Sequence, residues 1–200
     1  MEWHKDLCDY YNVTPEVALE LGTRASGRKP SLPSSETCEA ISNKTFEDIW
    51  EQKPRKTEED VFDFYRDQQA WASFRQCVRH KDNTSFHLMY LNQFLKQDSH
   101  ICEYGCGVAP FLNTLCELAP KEFNARISIS DVDNCEHFNF ASWRLARKIK
   151  DRGLGISLSV RPIKSGHLPV YENKLDLVFC FEVLLPVLLL FRFELLELLY

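Results

Sequence analysis

One stretch decides the fold of this chain: Ile101-Cys102-Glu103-Tyr104-Gly105-Cys106-Gly107-Val108-Ala109-Pro110. The short, largely apolar run that begins at Ile101 is typical of a central parallel strand, and the glycines behind it indicate a tight turn. Glycine permits unusual backbone angles and lets a ligand approach the main chain closely. Pro110 suits the first turn of a helix, where its missing N–H costs nothing. We therefore predict a strand, a glycine loop and a helix, in that order.

Two classes of ligand use such a unit. Dinucleotide sites require G-x-G-x-x-G with the pyrophosphate at the helix N-terminus, and Pro110 stands at the third glycine position of that pattern. Glu103, Gly105 and Gly107 instead fit acidic-x-G-x-G-x-G, with Ala109 in place of the last glycine. This pattern resembles the first motif of the class I S-adenosylmethionine-dependent methyltransferases. A plain structural turn is the alternative interpretation of the loop.

Composition narrows the class of protein. The chain has 200 residues, of which 44% are apolar and 26% are charged, which is enough for one domain with a sizeable core. A net charge of −5 gives no support for a general nucleic-acid surface. The eight cysteines form no C-x-x-C pair, and Cys135 and His137 are poorly spaced for zinc, so we predict no metal site. The polar start of the chain is unlike a signal peptide, and we expect a cytoplasmic protein with reduced thiols.

We assign residues 1–84 to a helical N-terminal extension with a linker, and residues 85–200 to the main domain. Thr14-Pro15-Glu16 predicts the start of a helix, and Gly22 is its expected end. A second helix is predicted from Thr57, with acidic residues near its positive end.

The aromatic residues that follow Thr57 predict packing of this helix on the main domain. The sharper alternative is a lid over a ligand pocket, which would place Tyr65 or Trp71 near the substrate.

A second strand is predicted over residues 125–130, with an acid at its carboxyl edge. A carboxylate in this position can accept hydrogen bonds from both hydroxyls of a ribose, and Asp131 is the first candidate, with Asp133 as the fallback. The alternative role for Asp133 or Asn134 is to cap the next helix.

That next helix is predicted from Glu136 to Lys150, and a third strand over residues 156–160. Phe138, Leu145 and Ile149 share the apolar face of the helix. We expect its basic residues to face water and Gly153 and Gly155 to end it; the basic residues are Arg144, Arg147, Lys148 and Lys150.

A second segment resembles the same methyltransferase family. Leu168-Pro169, then Asp176-Leu177-Val178 and then Glu182-Val183-Leu184 follow one another in the family's order, with the fourth strand between the last two. The resemblance covers residues 101–184 and implies a Rossmann-like, doubly wound, mainly parallel α/β sheet. It also implies S-adenosylmethionine as the cofactor and transfer of its methyl group to an oxygen, nitrogen or carbon acceptor.

The resemblance further implies roles for single residues. Glu103 would hold the ammonium of the methionine moiety, directly or through water, and Asp131 would bind the ribose. Val132 would flank the adenine, the backbone of Ser165 would contact it, and Phe181 would wall the methyl-transfer site. The backbone of the glycine loop would pass close to the ligand; the loop positions concerned are Tyr104, Gly105, Cys106 and Gly107.

Three features depart from the family pattern. Lys164 stands where many relatives carry an acid for the adenine amino group, and Leu185-Pro186 stands where many carry Glu-His, so no catalytic base is carried over. The sheet is expected to stop after about the fourth strand, and residues 187–200 suit one apolar helix rather than a membrane span.

These departures keep two other functions open. One is an inactive, truncated methyltransferase-like domain that binds cofactor or a partner, with oligomers forming through the open sheet edge. The other is a nicotinamide-dependent enzyme, against which Pro110 argues. The methyl acceptor, a small molecule or another species, is not readable from the sequence.

Overall fold

The structure, a computed structural model, describes residues 3–25, 56–82, 84–164 and 175–180. It is an α/β fold whose described strands form one four-stranded parallel sheet in the order β3-β2-β1-β4. Five helices precede the sheet in the described residues: α1 (Lys5–Tyr11), α2 (Pro15–Ala25), α3 (Glu58–Arg66), α4 (Gln69–His80) and α5 (Thr84–Phe94). The sheet region then runs β1 (Ser99–Tyr104), α6 (Pro110–Leu118), β2 (Asn124–Val132), α7 (Glu136–Arg152), β3 (Gly155–Ile163) and β4 (Leu177–Phe179).

The predicted parallel α/β sheet is confirmed, and its register shows why β1, β2 and β3 are all longer than expected. Ile101 of β1 pairs with Ile127 of β2 on one side and with Leu177 of β4 on the other. The ladder already begins at Ser99, two residues before the predicted start of β1. Strand β3 likewise continues to Ile163, because it follows β2 to its end. The sequence pattern marks only the apolar centre of each strand, whereas the hydrogen-bonded ladder extends beyond it.

The predicted turn and helix after β1 are also confirmed. Pro110 occupies the first turn of α6, and this helix is buried along most of its length. Phe111 stacks on Phe179 with ring centroids 3.9 Å apart, which ties α6 to the end of β4. Burial of such a side chain stabilises the fold by about 1.5–3 kcal/mol. Helix α6 also packs against α7.

Helix α7 begins at Glu136 as predicted and continues two residues past its predicted end at Lys150, to Arg152. Cys135 is the N-cap, and its side chain makes no capping hydrogen bond. Neither Asp133 nor Asn134 caps the helix: Asp133 binds Arg66, and Asn134 adopts a left-handed φ of 58° in the turn. Gly153 ends the helix in the left-handed conformation, as predicted.

Helix α2 continues past its expected end. Gly22 lies inside the helix, which ends at Ala25. A Cβ at this glycine would stand 2.5 Å from a methyl carbon of Val78 and 2.7 Å from the ring of Trp3. The glycine therefore serves close packing between α2 and α4 and does not stop the helix.

The helix predicted from Thr57 is divided in two. Thr57 and Asp60 form a reciprocal capping box at the start of α3, as the sequence suggests. The helix stops at Arg66, and α4 begins at Gln69. Helix α4 packs on α2 and on α7, so the N-terminal helices lie against the sheet region. The division of the chain at residue 84 stays a prediction.

The expectation that the basic residues of α7 face water is wrong for two of them. Arg144 is 5% exposed, and its Nε donates to Asp6 of α1 at 2.9 Å. Lys148 also contacts Asp6, at 2.9 Å, and pairs with Glu117 of α6. Their partner on α1 is far away in sequence, which is why helical periodicity alone placed them in solvent.

No helix in the described part of the chain is long and apolar enough to cross a membrane. The predicted C-terminal helix over residues 187–200 lies outside the described residues, as do most of the linker and the Leu168-Pro169 pair.

Candidate functional site

The candidate site lies at the carboxyl edge of β1 and β2, where the loops that follow both strands meet. Parallel sheets bind ligands at this edge, close to the point where the strand order reverses. The order β3-β2-β1-β4 places that reversal between β1 and β4. Glu103, Gly107 and Asp131 are brought together here, as the sequence predicts for residues at neighbouring strand ends.

The glycine loop takes an unusual backbone path. Gly105, Gly107 and Ala109 have left-handed φ angles of 62°, 53° and 49°. Ala109 thus adopts, at some steric cost, the conformation for which glycine is best suited. The N–H of Cys106 donates to the carbonyl of Ser130 at 3.0 Å, which ties the loop to β2. Tyr104 and Gly105 are half-buried.

Asp131 joins the two strand ends. One carboxylate oxygen accepts the N–H of Gly107 at 2.6 Å, and the other accepts the N–H of Val132 at 2.7 Å. A carboxylate has about four acceptor positions, so Asp131 retains capacity for two more donors. His137 lies behind it, with Nε2 3.8 Å from the Asp131 carboxylate. Val132 is buried beside Asp131.

Glu103 caps the helix that follows the loop. Its two oxygens accept the N–H groups of Phe111 at 3.2 Å and Leu112 at 2.9 Å. Burial raises the pKa of this carboxyl to about 8, although both backbone hydrogen bonds favour its charged form. The described contacts of Glu103 are therefore internal, and its contact with a ligand ammonium stays a prediction.

Gln76 of α4 reaches the loop from the other side. Its Oε1 accepts the N–H of Val108 at 3.0 Å, and the carbonyl of Val108 accepts from Arg144 at 3.3 Å. A Cβ on Gly107 would lie 1.9 Å from the same Oε1, so the amide packs directly on this glycine. Gln76 is a candidate functional residue that the sequence analysis missed, since it belongs to no motif and lies 31 positions before Gly107.

Asp133 connects the end of β2 to α3. Its carboxylate accepts from Nη2 of Arg66 at 2.6 Å, and Arg66 also pairs with Asp63 at 3.0 Å. Asp133, the fallback for ribose binding, is thus engaged in an ion pair. The pair holds α3 across the carboxyl edge of β2.

The two aromatic candidates for a lid separate in the structure. Burial and the negative charge of Asp131 raise the pKa of Tyr65 to about 12, which puts this phenol near the site. Trp71 is buried in a different cluster, between α1, α2 and α4. Packing in the core is therefore the role of Trp71.

The remaining predicted positions lie elsewhere. Ser165 and Phe181 are outside the described residues, and Lys164 is exposed at the end of β3. Within the described ranges, no three side chains of His, Cys, Asp or Glu come together as metal ligands. Cys135 and His137 are both buried near the site.

The hydrogen-bond partners of the backbone N–H groups in the loop define the chemistry of the site. Every backbone N–H from Cys106 to Leu112 is bonded within the protein, and Pro110 has none. The side-chain acceptors are two carboxyl groups and one amide, from Asp131, Glu103 and Gln76.

A comparison with models of known protein families gives no match, and a comparison with curated proteins gives no significant one.

Proposed function

We propose that this chain binds S-adenosylmethionine at the carboxyl edge of β1 and β2, and that it transfers the methyl group to an acceptor whose identity is open. The observation that carries the proposal is the state of the glycine loop. Its N–H groups from Cys106 onwards are satisfied by side-chain and backbone acceptors, and a carboxylate with spare acceptor capacity stands beside it.

This arrangement disfavours a pyrophosphate. Dinucleotide and phosphate sites leave the N–H groups of the loop and of the helix N-terminus free to meet anionic oxygens. Here Glu103 already occupies the N-terminus of α6, and Asp131 occupies the N–H of Gly107. A phosphate would meet carboxyl groups instead of donors. The nicotinamide alternative is therefore the weaker one.

The same arrangement favours a ligand that brings its own donors. The two hydroxyls of a ribose are donors, and hydrogen bonds to a charged acceptor contribute about 1.5–3 kcal/mol each. Asp131 is placed to accept them, and the apolar, buried Val132 lies next to it. The donor set thus fits the adenosyl part of S-adenosylmethionine.

When bound, S-adenosylmethionine supplies a methyl group that its positively charged sulfur has already made electrophilic. The protein is left with positioning and with the exclusion of water. Asp131 would orient the ribose, and α3 and α4 would cover the loop. Arg66 holds α3 on the end of β2, and Gln76 fixes the peptide of Val108.

A second candidate is a module that binds the cofactor without transfer. It is favoured by the fact that both Glu103 and Asp131 are bonded to backbone amides, so neither is arranged as a general base. Incubation with methyl-labelled S-adenosylmethionine and a fractionated metabolite extract separates the two: a labelled product supports transfer, and binding without a product supports the module.

Calorimetric titration with S-adenosylhomocysteine tests the binding site. We expect saturable binding by the wild type, no binding of NAD⁺, and a loss of about tenfold or more in Asp131→Ala and Asp131→Asn. Asp151→Ala, which removes an exposed acid of α7, is the matched control and should bind normally. A folded wild-type chain that ignores S-adenosylhomocysteine, or that prefers NAD⁺, contradicts the proposal.

A further inference from the structure

We propose that the side-chain amide of Gln76 is the donor that recognises the carboxylate of the ligand's amino-acid moiety, and so selects an α-amino acid conjugate of adenosine. This inference rests on the proposed function and adds a specificity residue from the N-terminal helices.

The orientation of the amide follows from its partner. The N–H of Val108 is a donor, so the atom that faces it at 3.0 Å must be the amide oxygen of Gln76. The amide nitrogen therefore points away from Val108. It lies 3.1 Å from the position that a Cβ of Gly107 would take.

The nitrogen has hydrogen-bonding capacity to offer. Among the contacts of the described residues, the Gln76 amide accepts from Val108, and its NH₂ donates to no protein group. Gln76 as a residue is half-buried. A donor held in place by its own carbonyl loses little entropy when it binds a ligand.

The negative charge of the ligand's carboxylate calls for a hydrogen-bond donor beside the loop. A zwitterionic amino-acid moiety brings one ammonium and one carboxylate, and the carboxyl oxygens of Glu103 and Asp131, which accept backbone N–H groups here, suit donors such as the ammonium and the ribose hydroxyls. The loop amides from Cys106 to Leu112 are already bonded, so they are not available to the carboxylate. The NH₂ of Gln76, on α4, is a donor that stands beside the loop.

The backbone around Gln76 supports a fixed position. Helix α4 packs on both α2 and α7. Arg144 of α7 donates to the carbonyl of Val108, so the residue that Gln76 contacts is held at both its N–H and its C=O. Asp6 of α1 in turn holds Arg144. The N-terminal helices thus place the amide relative to the loop.

The test is a double-mutant cycle between Gln76 and the ligand carboxylate. Wild type and Gln76→Glu are titrated by calorimetry with S-adenosylhomocysteine and with S-(5′-adenosyl)-3-thiopropylamine, which lacks only the carboxylate. Gln76→Glu keeps an acceptor for Val108 and replaces the donor by a negative charge. We expect it to lose about 10- to 100-fold in affinity for S-adenosylhomocysteine and about twofold or less for the amine.

Controls separate the possible failures. Gln93→Glu places the same charge on the exposed surface of α5 and should leave both affinities unchanged. Gln76→Leu brings no charge and should lose the same selectivity, so it replaces Gln76→Glu if that variant does not fold. Equal losses for both ligands, or no loss, in a folded Gln76 variant overturn this inference alone. A wild type that binds neither ligand overturns it together with the proposed function.

Discussion

The buried acid of the glycine loop gives the sharpest prediction about stability, through the variant Glu103→Gln. Glu103 is 4% exposed, and burial raises its pKa from 4.5 to about 8. A carboxyl with a raised pKa binds its proton more tightly in the folded than in the unfolded chain. Its contribution to stability is therefore complete below about pH 4.5 and is lost as the pH rises towards about 8.

The magnitude follows from the size of the shift. At about 1.4 kcal/mol per pKa unit, the wild type loses about 4 kcal/mol through this group between pH 5 and 8.5. The glutamine amide does not titrate. It keeps one acceptor for α6 and loses the other, at a cost of about 1 kcal/mol at every pH. The variant should thus equal the wild type or fall slightly below it at pH 5, and exceed it clearly at pH 8.5.

Urea unfolding of both proteins at the two pH values measures this difference. His80 and His87, whose pKa values burial lowers to about 4, give an opposite pH dependence, but they act in both proteins and cancel in the comparison. Glu122→Gln, on an exposed site, controls for the lost charge. An unchanged difference between Glu103→Gln and wild type at the two pH values would refute the reasoning. A variant that loses stability relative to wild type at high pH would show that Glu103 holds α6 as an anion.

Three further substitutions test the structure through thermal or urea unfolding. Gly107→Ala should lower the free energy of unfolding by about 1–3 kcal/mol more than Gly153→Ala. Both glycines have a left-handed φ, but only a Cβ at Gly107 would also clash with the side-chain amide of Gln76. Equal losses would contradict the packing of that amide on the loop. Asp6→Asn should lower the free energy of unfolding by about 3–5 kcal/mol, because it takes the charged partner away from the buried Arg144. Asp9→Asn should lower it by about 1 kcal/mol or less, because the pair of Asp9 with Arg147 is more exposed. Similar values for the two variants would mean that the pair of Asp6 with Arg144 is solvated. Phe111→Ala should cost about 3–5 kcal/mol through the cavity it leaves against β4, and a value below about 1 kcal/mol would contradict its burial.

Local chemistry explains which parts of the fold could be predicted. The turn at Gly105 and Gly107, the start of α6 at Pro110 and the start of a helix at Thr57 each depend on a few neighbouring residues, and all are confirmed. The acid at the end of β2 could be placed beside the loop for a similar reason, since the carboxyl ends of adjacent parallel strands meet. The hydrogen bond from Gly107 to Asp131 is the direct result.

The misplaced residues depend on contacts that are distant in sequence. Arg144 is buried because Asp6, 138 positions earlier, lies opposite it. Gly22 lies inside a helix because Val78 of α4 packs against it. Asp133 does not cap α7 because it forms an ion pair with Arg66. Gln76 belongs to the same group: nothing in its neighbourhood along the chain marks it, and only the packing of α4 brings it to the loop.

The central claim is that the loop after β1 and the end of β2 form a binding site for the adenosyl cofactor. The most direct measurement is an amide-resolved NMR titration of the full 200-residue chain with S-adenosylhomocysteine. Large shift changes are expected at Gly105, Gly107 and Val132, whose amides lie in the loop or donate to Asp131, and none are expected at Gly153 at the far end of α7. Shift changes that spare all three site residues, or a spectrum that the ligand leaves unaltered, would contradict the central claim.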